Sequence, residues 1–165
     1  MIDITLEAGG GLFNYRVGAV IINDGKLLMI KNESFPYYYS VGGRVSFGET
    51  SEEAVLREVY EETQLHFEIE RLAFVHENFF VGGFRENKQF HEIAFFYLMK
   101  PNAEIDSICC DSEGADGSKE SLHWLPLDAL SDYPVYPEFF KTELKSLGSE
   151  LEHFVTRSGE TTSAK

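Results

Sequence analysis

The chain has 165 residues, of which 43% are hydrophobic and 25% charged, and its formal net charge at pH 7 is −14. This length is near that of one domain and allows a sizeable core. The negative charge argues against a broad grip on long nucleic acids, although metal ions can bridge an acidic protein and a small polyphosphate. No stretch reaches the apolar length of a membrane span and no basic leader precedes an apolar run, so we expect a cytoplasmic protein without a membrane partner.

The N-terminal part of the chain predicts a β-hairpin. Residues 15–22 and 26–32 are two apolar runs, and the turn sequence Asn23-Asp24-Gly25 lies between them. A helix is predicted over residues 51–63, where Thr50 and Glu53 form the T-x-x-E pattern of a capping box. The apolar side chains of this helix form one stripe that can pack against a sheet.

The rest of the chain predicts strands, a second helix and a tail. Strands are expected over residues 67–76 and 92–100, with a short one at 122–124, and a helix over 137–147. Residues 111–118 read as a polar loop. We expect residues 1–155 to form a single domain, and residues 156–165, which lack apolar side chains apart from Ala164, to form a disordered tail.

Three glutamates crowd one side of the first predicted helix. With Glu58 set at zero on a helical wheel, Glu62 falls at about 40° and Glu61 at about −60°. Like charges at this spacing repel, whereas a divalent cation such as Mg²⁺ or Mn²⁺ takes oxygen ligands and reverses the sign of the interaction. A solvated acidic surface is the alternative, and these residues taken alone favour it.

The spacing around the glutamates favours the metal site instead. Gly43, five residues, Glu49, seven residues and the run Arg57-Glu58-Val59-Tyr60-Glu61-Glu62 resemble the Nudix hydrolase signature, G-x5-E-x7-R-E-U-x-E-E-x-G-U, with U aliphatic. All seven fixed or class-restricted positions before the final glycine match. Gln64 stands in place of that glycine, which puts the left-handed turn after the helix in question. Weaker similarity extends over roughly residues 15–147.

The resemblance implies a fold and an activity. The fold would be α/β, a Nudix-type α/β/α sandwich with a mixed β-sheet between helices. The activity would be hydrolysis of a diphosphate linkage in a nucleoside diphosphate linked to another moiety, with Mg²⁺ or Mn²⁺ as cofactor. The expected metal ligands are the carbonyl of Gly42 and the carboxylates of Glu58, Glu61 and Glu62.

The resemblance also implies supporting roles for two residues. Glu49 would support the metal shell, and Arg57 would hold the glutamates by ion pairing, for which its planar fork is suited. A plain salt bridge within the helix is the other role open to Arg57. The residue that activates water is left open: Glu61 ranks first, then Glu92 or Glu113, and Glu120 is a further carboxylate. An exposed strand or loop position is the alternative for those outside the signature.

Substrate contacts are less well defined by the sequence. The candidates for binding a small-molecule nucleotide are basic and aromatic side chains near the signature, namely Arg16, Arg44, Tyr39, Phe79 and Phe80, with Arg85 and Lys88 as further phosphate contacts. Core packing and surface solubility are the ordinary roles of such residues. The identity of the nucleoside and the formation of a homodimer stay open.

Two other functions compete with the hydrolase. One is a non-catalytic Nudix domain that senses nucleotides or binds a protein partner, and it is disfavoured because every acid of the signature is present. The other is an acidic α/β domain with only a structural role, which leaves the signature unexplained.

Overall fold

Runs of β-branched and aromatic residues build about half of the described residues into strands. The computed structural model describes residues 2–82, 88–108, 111–113, 119–157 and 160–163. Two α-helices are present there, α1 (Ser51–Thr63) and α2 (Phe140–Glu143). The strands are β1 (Thr5–Ala8), β2 (Gly11–Val20), β3 (Ile22–Asn23), β4 (Lys26–Asn32), β5 (Tyr38–Arg44), β6 (Ile69–Val81), β7 (Gln89–Met99), β8 (Asp111–Glu113), β9 (Lys119–Pro126), β10 (Val135–Tyr136), β11 (Glu152–Arg157) and β12 (Glu160–Ser163).

The strands form a mixed sheet that bends at β5. Its order is β12-β11-β6-β7-β2-β5-β4-β9-β8, with β2 parallel to β7 and β6 parallel to β11. Residues 41–44 of β5 pair with β2, whereas residues 38–40 pair with β4. Gly42 permits this change of partner: its φ is 144°, and an added Cβ would stand 2.8 Å from the Cα of Gly18. The two halves of the sheet therefore meet at the glycine that precedes the signature.

Helical segments cover the sheet on both faces. The stripe predicted for α1 is buried, with Val55 and Val59 in one apolar cluster, and Phe140 of α2 belongs to a second cluster. The neighbouring β7 residues Phe96 and Tyr97 belong to different clusters, because successive side chains of a strand point to opposite faces. This confirms the predicted α/β/α sandwich around a mixed sheet.

Helix α1 has the predicted bounds. The hydroxyl of Thr50 accepts a hydrogen bond from the backbone N–H of Glu53, and the Glu53 carboxylate accepts one from the backbone N–H of Thr50 at 2.8 Å. At the other end Gln64 adopts the left-handed conformation, with φ 59°. Its backbone N–H donates to the carbonyl of Tyr60 (2.8 Å), and its side-chain amide donates to the carbonyl of Glu61 (3.0 Å). The turn that the missing glycine put in question is therefore formed.

Several sequence predictions need correction. The helix expected over residues 137–147 is one α-helical turn, α2, followed by a 3₁₀ segment (Leu144–Ser146). Phe140 and Leu144 already reach the core from these short segments. Strand β6 continues past its predicted end, and β7 begins before its predicted start. Strand β5 was not predicted because its glycines interrupt the apolar pattern. Part of the predicted polar loop is β8, and residues 114–118 of that loop lie outside the described residues.

The expected disordered tail from Thr156 is also corrected. Residues 156 and 157 complete β11, which pairs in parallel with β6, and residues 160–163 form β12 against β11. Thr156 is buried, and its hydroxyl bonds to Nε2 of His76 (2.8 Å). This strand escaped prediction because its pairing partner lies about 80 residues away in the chain. Within the described residues, we find no helix with the length and apolar character needed to cross a membrane.

Candidate active site

Arg57 is the centre of a network of ion pairs on the exposed side of α1. Its Nε and Nη2 donate to the two carboxylate oxygens of Glu49, at 2.6 and 3.1 Å. Its Nη1 donates to Oε1 of Glu58 at 2.8 Å and to Oε2 of Glu61 at 3.3 Å. Nη2 also donates to the backbone carbonyl of Arg44 at 3.1 Å, which ties the helix to the end of β5. One planar guanidinium thus contacts three carboxylates.

Glu49 is fixed from a second direction. Its Oε2 accepts a hydrogen bond from the backbone N–H of Ser46 at 2.9 Å. The hydrogen bonds from Arg57 lower the pKa of Glu49, and the Ser46 N–H adds to that effect. Glu49 therefore stays ionised and holds Arg57 in place between the loop and the helix.

Glu58 lies against the glycine that opens the signature. Its side chain is 14% exposed, and burial raises the pKa of this carboxyl while Arg57 opposes the rise. A Cβ added to Gly43 would stand 2.5 Å from Oε2 of Glu58 and closer still to its other carboxyl atoms. The Glu58 carboxylate therefore occupies the space that a side chain at position 43 would take.

Glu61 and Glu62 complete the acidic face of α1. Glu61 is 54% exposed and Glu62 is half-buried. Within the described residues, no three His, Cys, Asp or Glu side chains already converge on one point as metal ligands do. The donor set nevertheless fits a hard cation, because it consists of carboxylate oxygens and includes the largely buried carboxylate of Glu58.

A second carboxylate group faces the helix from β9. Oε1 of Glu120 accepts hydrogen bonds from the Tyr39 hydroxyl (2.7 Å) and from Nδ2 of Asn32 (3.1 Å). Burial raises the pKa of Tyr39, the bond to Glu120 adds to this, and the charge of Glu62 contributes as well. Tyr39 is therefore bonded to Glu120 and lies within electrostatic reach of Glu62.

Arg16 and Glu92 extend the site along the sheet. Nη1 of Arg16 lies 3.8 Å from Oε1 of Glu92, and that oxygen also accepts a hydrogen bond from Nδ2 of Asn14 (2.8 Å). The positive charge of Arg16 is felt by Glu58 at one end and by Tyr37 at the other. Arg16 is therefore paired with Glu92 and lies within electrostatic reach of Glu58.

Some predicted site residues lie elsewhere. Phe79 and Phe80 are neighbours on β6 and so point to opposite faces of the sheet. Phe80 stacks on Phe90 (4.8 Å between ring centroids) on the face that carries Glu92. Phe79 stacks on His91 (4.2 Å) on the other face, away from Glu92, and its role as a substrate contact stays a prediction.

The remaining candidates are peripheral or not described. Nη1 of Arg44 lies 3.7 Å from a carboxylate oxygen of Asp3, and Nζ of Lys88 lies 2.6 Å from Glu7. The side chain of Glu113 and the whole of Arg85 lie outside the described residues. The sequence named Glu120 without ranking it, and it gave no signal for Asn14 or Asn32, because their partners are distant in the chain.

Comparison with known proteins gives consistent matches. The family model of the NUDIX domain matches residues 12–142. A MutT-like protein of Streptomyces ambofaciens is 28% identical over 115 residues, which are 70% of this chain and 64% of that protein. This chain thus spans just under two thirds of that relative's length.

Two solved structures share the fold. The Mutator MutT protein of Bacillus halodurans superposes with a TM-score of 0.62 at 17% identity, over 90% of this chain and 94% of that one. The MutT NUDIX hydrolase of Burkholderia pseudomallei gives a TM-score of 0.51 at 26% identity, over 70% of this chain and 84% of that one.

Proposed function

We propose that this chain, which belongs to the Nudix family, hydrolyses a diphosphate linkage in a nucleoside diphosphate linked to another moiety. The observation that carries the proposal is the Arg57 network, in which one guanidinium holds the carboxylates of Glu49, Glu58 and Glu61 together. Exposed acids with only a structural role would not require a glycine opposite Glu58.

The residues that would hold Mg²⁺ or Mn²⁺ are the carbonyl of Gly42 and the carboxylates of Glu58, Glu61 and Glu62. When bound, such ions neutralise phosphate oxygens and activate water for attack on phosphorus. Arg57 keeps the carboxylates in place but does not itself need to contact the substrate. Its role is to reduce the reorganisation that binding would otherwise demand.

Arg16 is the described cation best placed to meet a substrate phosphate. Its Nη1 lies 3.8 Å from Glu92, its charge acts on Glu58, and its side chain is 35% exposed. A guanidinium binds phosphate through two parallel N–H donors. We therefore assign to Arg16 the binding of the diphosphate, and to Arg44, which is paired with Asp3, a supporting role at the rim.

We assign the acceptance of the water proton to Glu120. Tyr39 and Asn32 fix its Oε1, while its Oε2 accepts no hydrogen bond from the described residues. A carboxylate held in this way needs no rearrangement to take a proton. Glu61, which ranks first on sequence grounds, is more than half exposed and already bonded to Arg57.

The test is hydrolysis of a panel of nucleoside diphosphate derivatives by the purified chain with Mg²⁺. We expect nucleoside monophosphate as a product, and a loss of about 100-fold or more in kcat for Glu120→Gln and for Glu61→Gln if each acts as assigned. Glu104→Gln, at an exposed position with no side-chain hydrogen bond among the described residues, is the matched control. Tight nucleotide binding without hydrolysis, with Mn²⁺ also tried, would instead indicate a nucleotide sensor.

A further inference from the structure

A row of polar side chains crosses three neighbouring strands beside Arg16. Asn14 on β2, Glu92 on β7 and Asn78 on β6 are directly opposite one another in register, so their side chains share one face of the sheet. Asn14 is 2% exposed, Asn78 is 3% exposed, and the Glu92 side chain is 12% exposed. We call these three residues the polar floor. Polar groups this deeply buried are costly unless they are hydrogen-bonded.

The polar floor is only partly satisfied. Oε1 of Glu92 accepts a hydrogen bond from Nδ2 of Asn14, and Oδ1 of Asn14 accepts one from the hydroxyl of Thr5 at 3.0 Å. Nδ2 of Asn78 donates to the hydroxyl of Tyr136. Over the part of the chain that the structure describes, Oε2 of Glu92 and Oδ1 of Asn78 accept no hydrogen bond. Two acceptor oxygens thus remain on register-paired positions of adjacent strands.

Aromatic rings stand beside the polar floor. The rings of Tyr37 and Tyr136 are 6.1 Å apart between centroids, and Tyr37 is 36% exposed. Burial raises the pKa of both hydroxyls, and the nearby charges of Arg16 and Glu92 act on both. An exposed ring in this position can stack on a flat heterocycle.

We propose that the polar floor binds the edge of a nucleobase with two adjacent N–H donors, as guanine has at N1 and N2, and so makes the site selective for guanine nucleotides. A carboxylate can only accept hydrogen bonds. Adenine and cytosine present a ring-nitrogen acceptor beside their amino group, and uracil presents one N–H between two carbonyls. Each of these bases would therefore place one of its own acceptors against an acceptor oxygen of the polar floor. The proposal rests on the proposed function, because the phosphates of the same ligand would extend past Arg16 toward Glu58.

The geometry also accounts for the position of Arg16. Arg16 approaches the same oxygen of Glu92 that accepts from Asn14, with its Nη1 3.8 Å from Oε1. Asn14 and Arg16 therefore hold the Glu92 carboxylate through Oε1, which leaves Oε2 available to the base. A buried acceptor that stays unpaired with the wrong ligand is the usual source of strong discrimination.

The test is calorimetric titration of the whole chain, without divalent metal, with the 5′-monophosphates of guanosine, inosine, adenosine, cytidine and uridine. We expect guanosine monophosphate to bind about 10- to 100-fold more tightly than the adenosine, cytidine and uridine compounds. Inosine monophosphate, which keeps N1–H and lacks the 2-amino group, should fall between them. Glu92→Gln should remove the preference for guanosine over inosine.

The matched control is Glu77→Gln. Glu77 is the neighbour of Asn78 on β6 and points to the opposite face, where its carboxylate bonds to His153 at 2.9 Å. This variant should keep the wild-type order of affinities. Equal or tighter binding of any non-guanine monophosphate by the wild-type chain, or no binding of any of them at millimolar concentration, would overturn the proposal. So would an unchanged order of affinities in Glu92→Gln.

These ligands contain no diphosphate linkage, so their binding does not depend on hydrolysis. A guanosine preference in a chain that hydrolyses nothing would overturn the proposed function alone. Hydrolysis without any preference among bases would overturn the polar-floor proposal alone. If Glu92→Gln slows the hydrolysis of every nucleotide equally and keeps the order of affinities, Glu92 acts in the chemistry and not on the base.

Discussion

Replacing Gly43 with alanine is the change whose effect the structure defines most sharply. The new Cβ would stand 2.5 Å from Oε2 of Glu58, whereas an ordinary contact begins near 3.4 Å. The Glu58 carboxylate must therefore move by about 1 Å, and a displacement of that size at a catalytic group costs about 100-fold in rate. The free energy of unfolding should change by less than about 1 kcal/mol, because Gly43 has no left-handed φ and alanine lowers the conformational entropy of the unfolded chain.

The assay is kcat for the best substrate of the panel, together with urea denaturation of the same preparation. Gly148→Ala is the matched control: Gly148 has no left-handed φ, and the nearest atom to an added Cβ is 4.0 Å away. This control should keep wild-type kcat. A soluble, folded Gly43→Ala protein with kcat within about threefold of wild type would refute the reasoning that Gly43 makes room for a functional Glu58.

Three further predictions follow from single contacts. Arg57→Lys cannot bridge Glu49 and Glu58 through a planar fork, so kcat/KM should fall about 10- to 100-fold, and full activity would contradict the orienting role. Burial lowers the pKa of His76 to about 4, below the ~6.5 of an unfolded chain, so unfolding takes up a proton. The free energy of unfolding should therefore fall by about 2 kcal/mol between pH 7 and pH 5. His76→Gln should lose that part of the pH dependence in urea denaturation. Gln64→Gly should change the free energy of unfolding by less than about 1 kcal/mol and leave kcat unchanged, since relief of the left-handed strain is offset by lost hydrogen bonds and a freer unfolded chain.

The sequence predicted α1 to the residue because its signals are local. The capping residues Thr50 and Glu53 lie three positions apart, and the apolar stripe repeats at helical spacing. The ion pairs of Arg57 are also local, since its partners lie within eight residues of it. Glu58 and Glu61 share the helix with Arg57, and the loop before the helix supplies Glu49.

The strands that the sequence missed depend on distant partners. In β5 the glycines that break the apolar pattern are those that let the strand pass from β2 to β4. In β11 the buried residues are Phe154 and Thr156, which pairing with β6 places on one face of the sheet. Pattern analysis of a short polar segment cannot supply such a partner.

The wider site shows the same limit. Glu120 and Tyr39 are separated by 81 residues, and Glu92 and Asn14 by 78. Their side chains meet because β9 and β7 pair with β4 and β2. The alternation of β6 likewise decided that Phe80, and not Phe79, lies on the face of the polar floor. Residue types suggested candidates, but strand register selected among them.

The most direct test of the proposed function is the Mg²⁺ dependence of hydrolysis in the wild-type chain and in Glu62→Gln. Glu52→Gln, an exposed position in the first turn of the same helix, is the matched control. We predict that the wild type and the control release nucleoside monophosphate only when Mg²⁺ or Mn²⁺ is present, and that Glu62→Gln loses about 100-fold or more of that rate. Equal hydrolysis by Glu62→Gln and the wild type, or a rate that a metal chelator leaves unchanged, would contradict the proposed role of the α1 carboxylates.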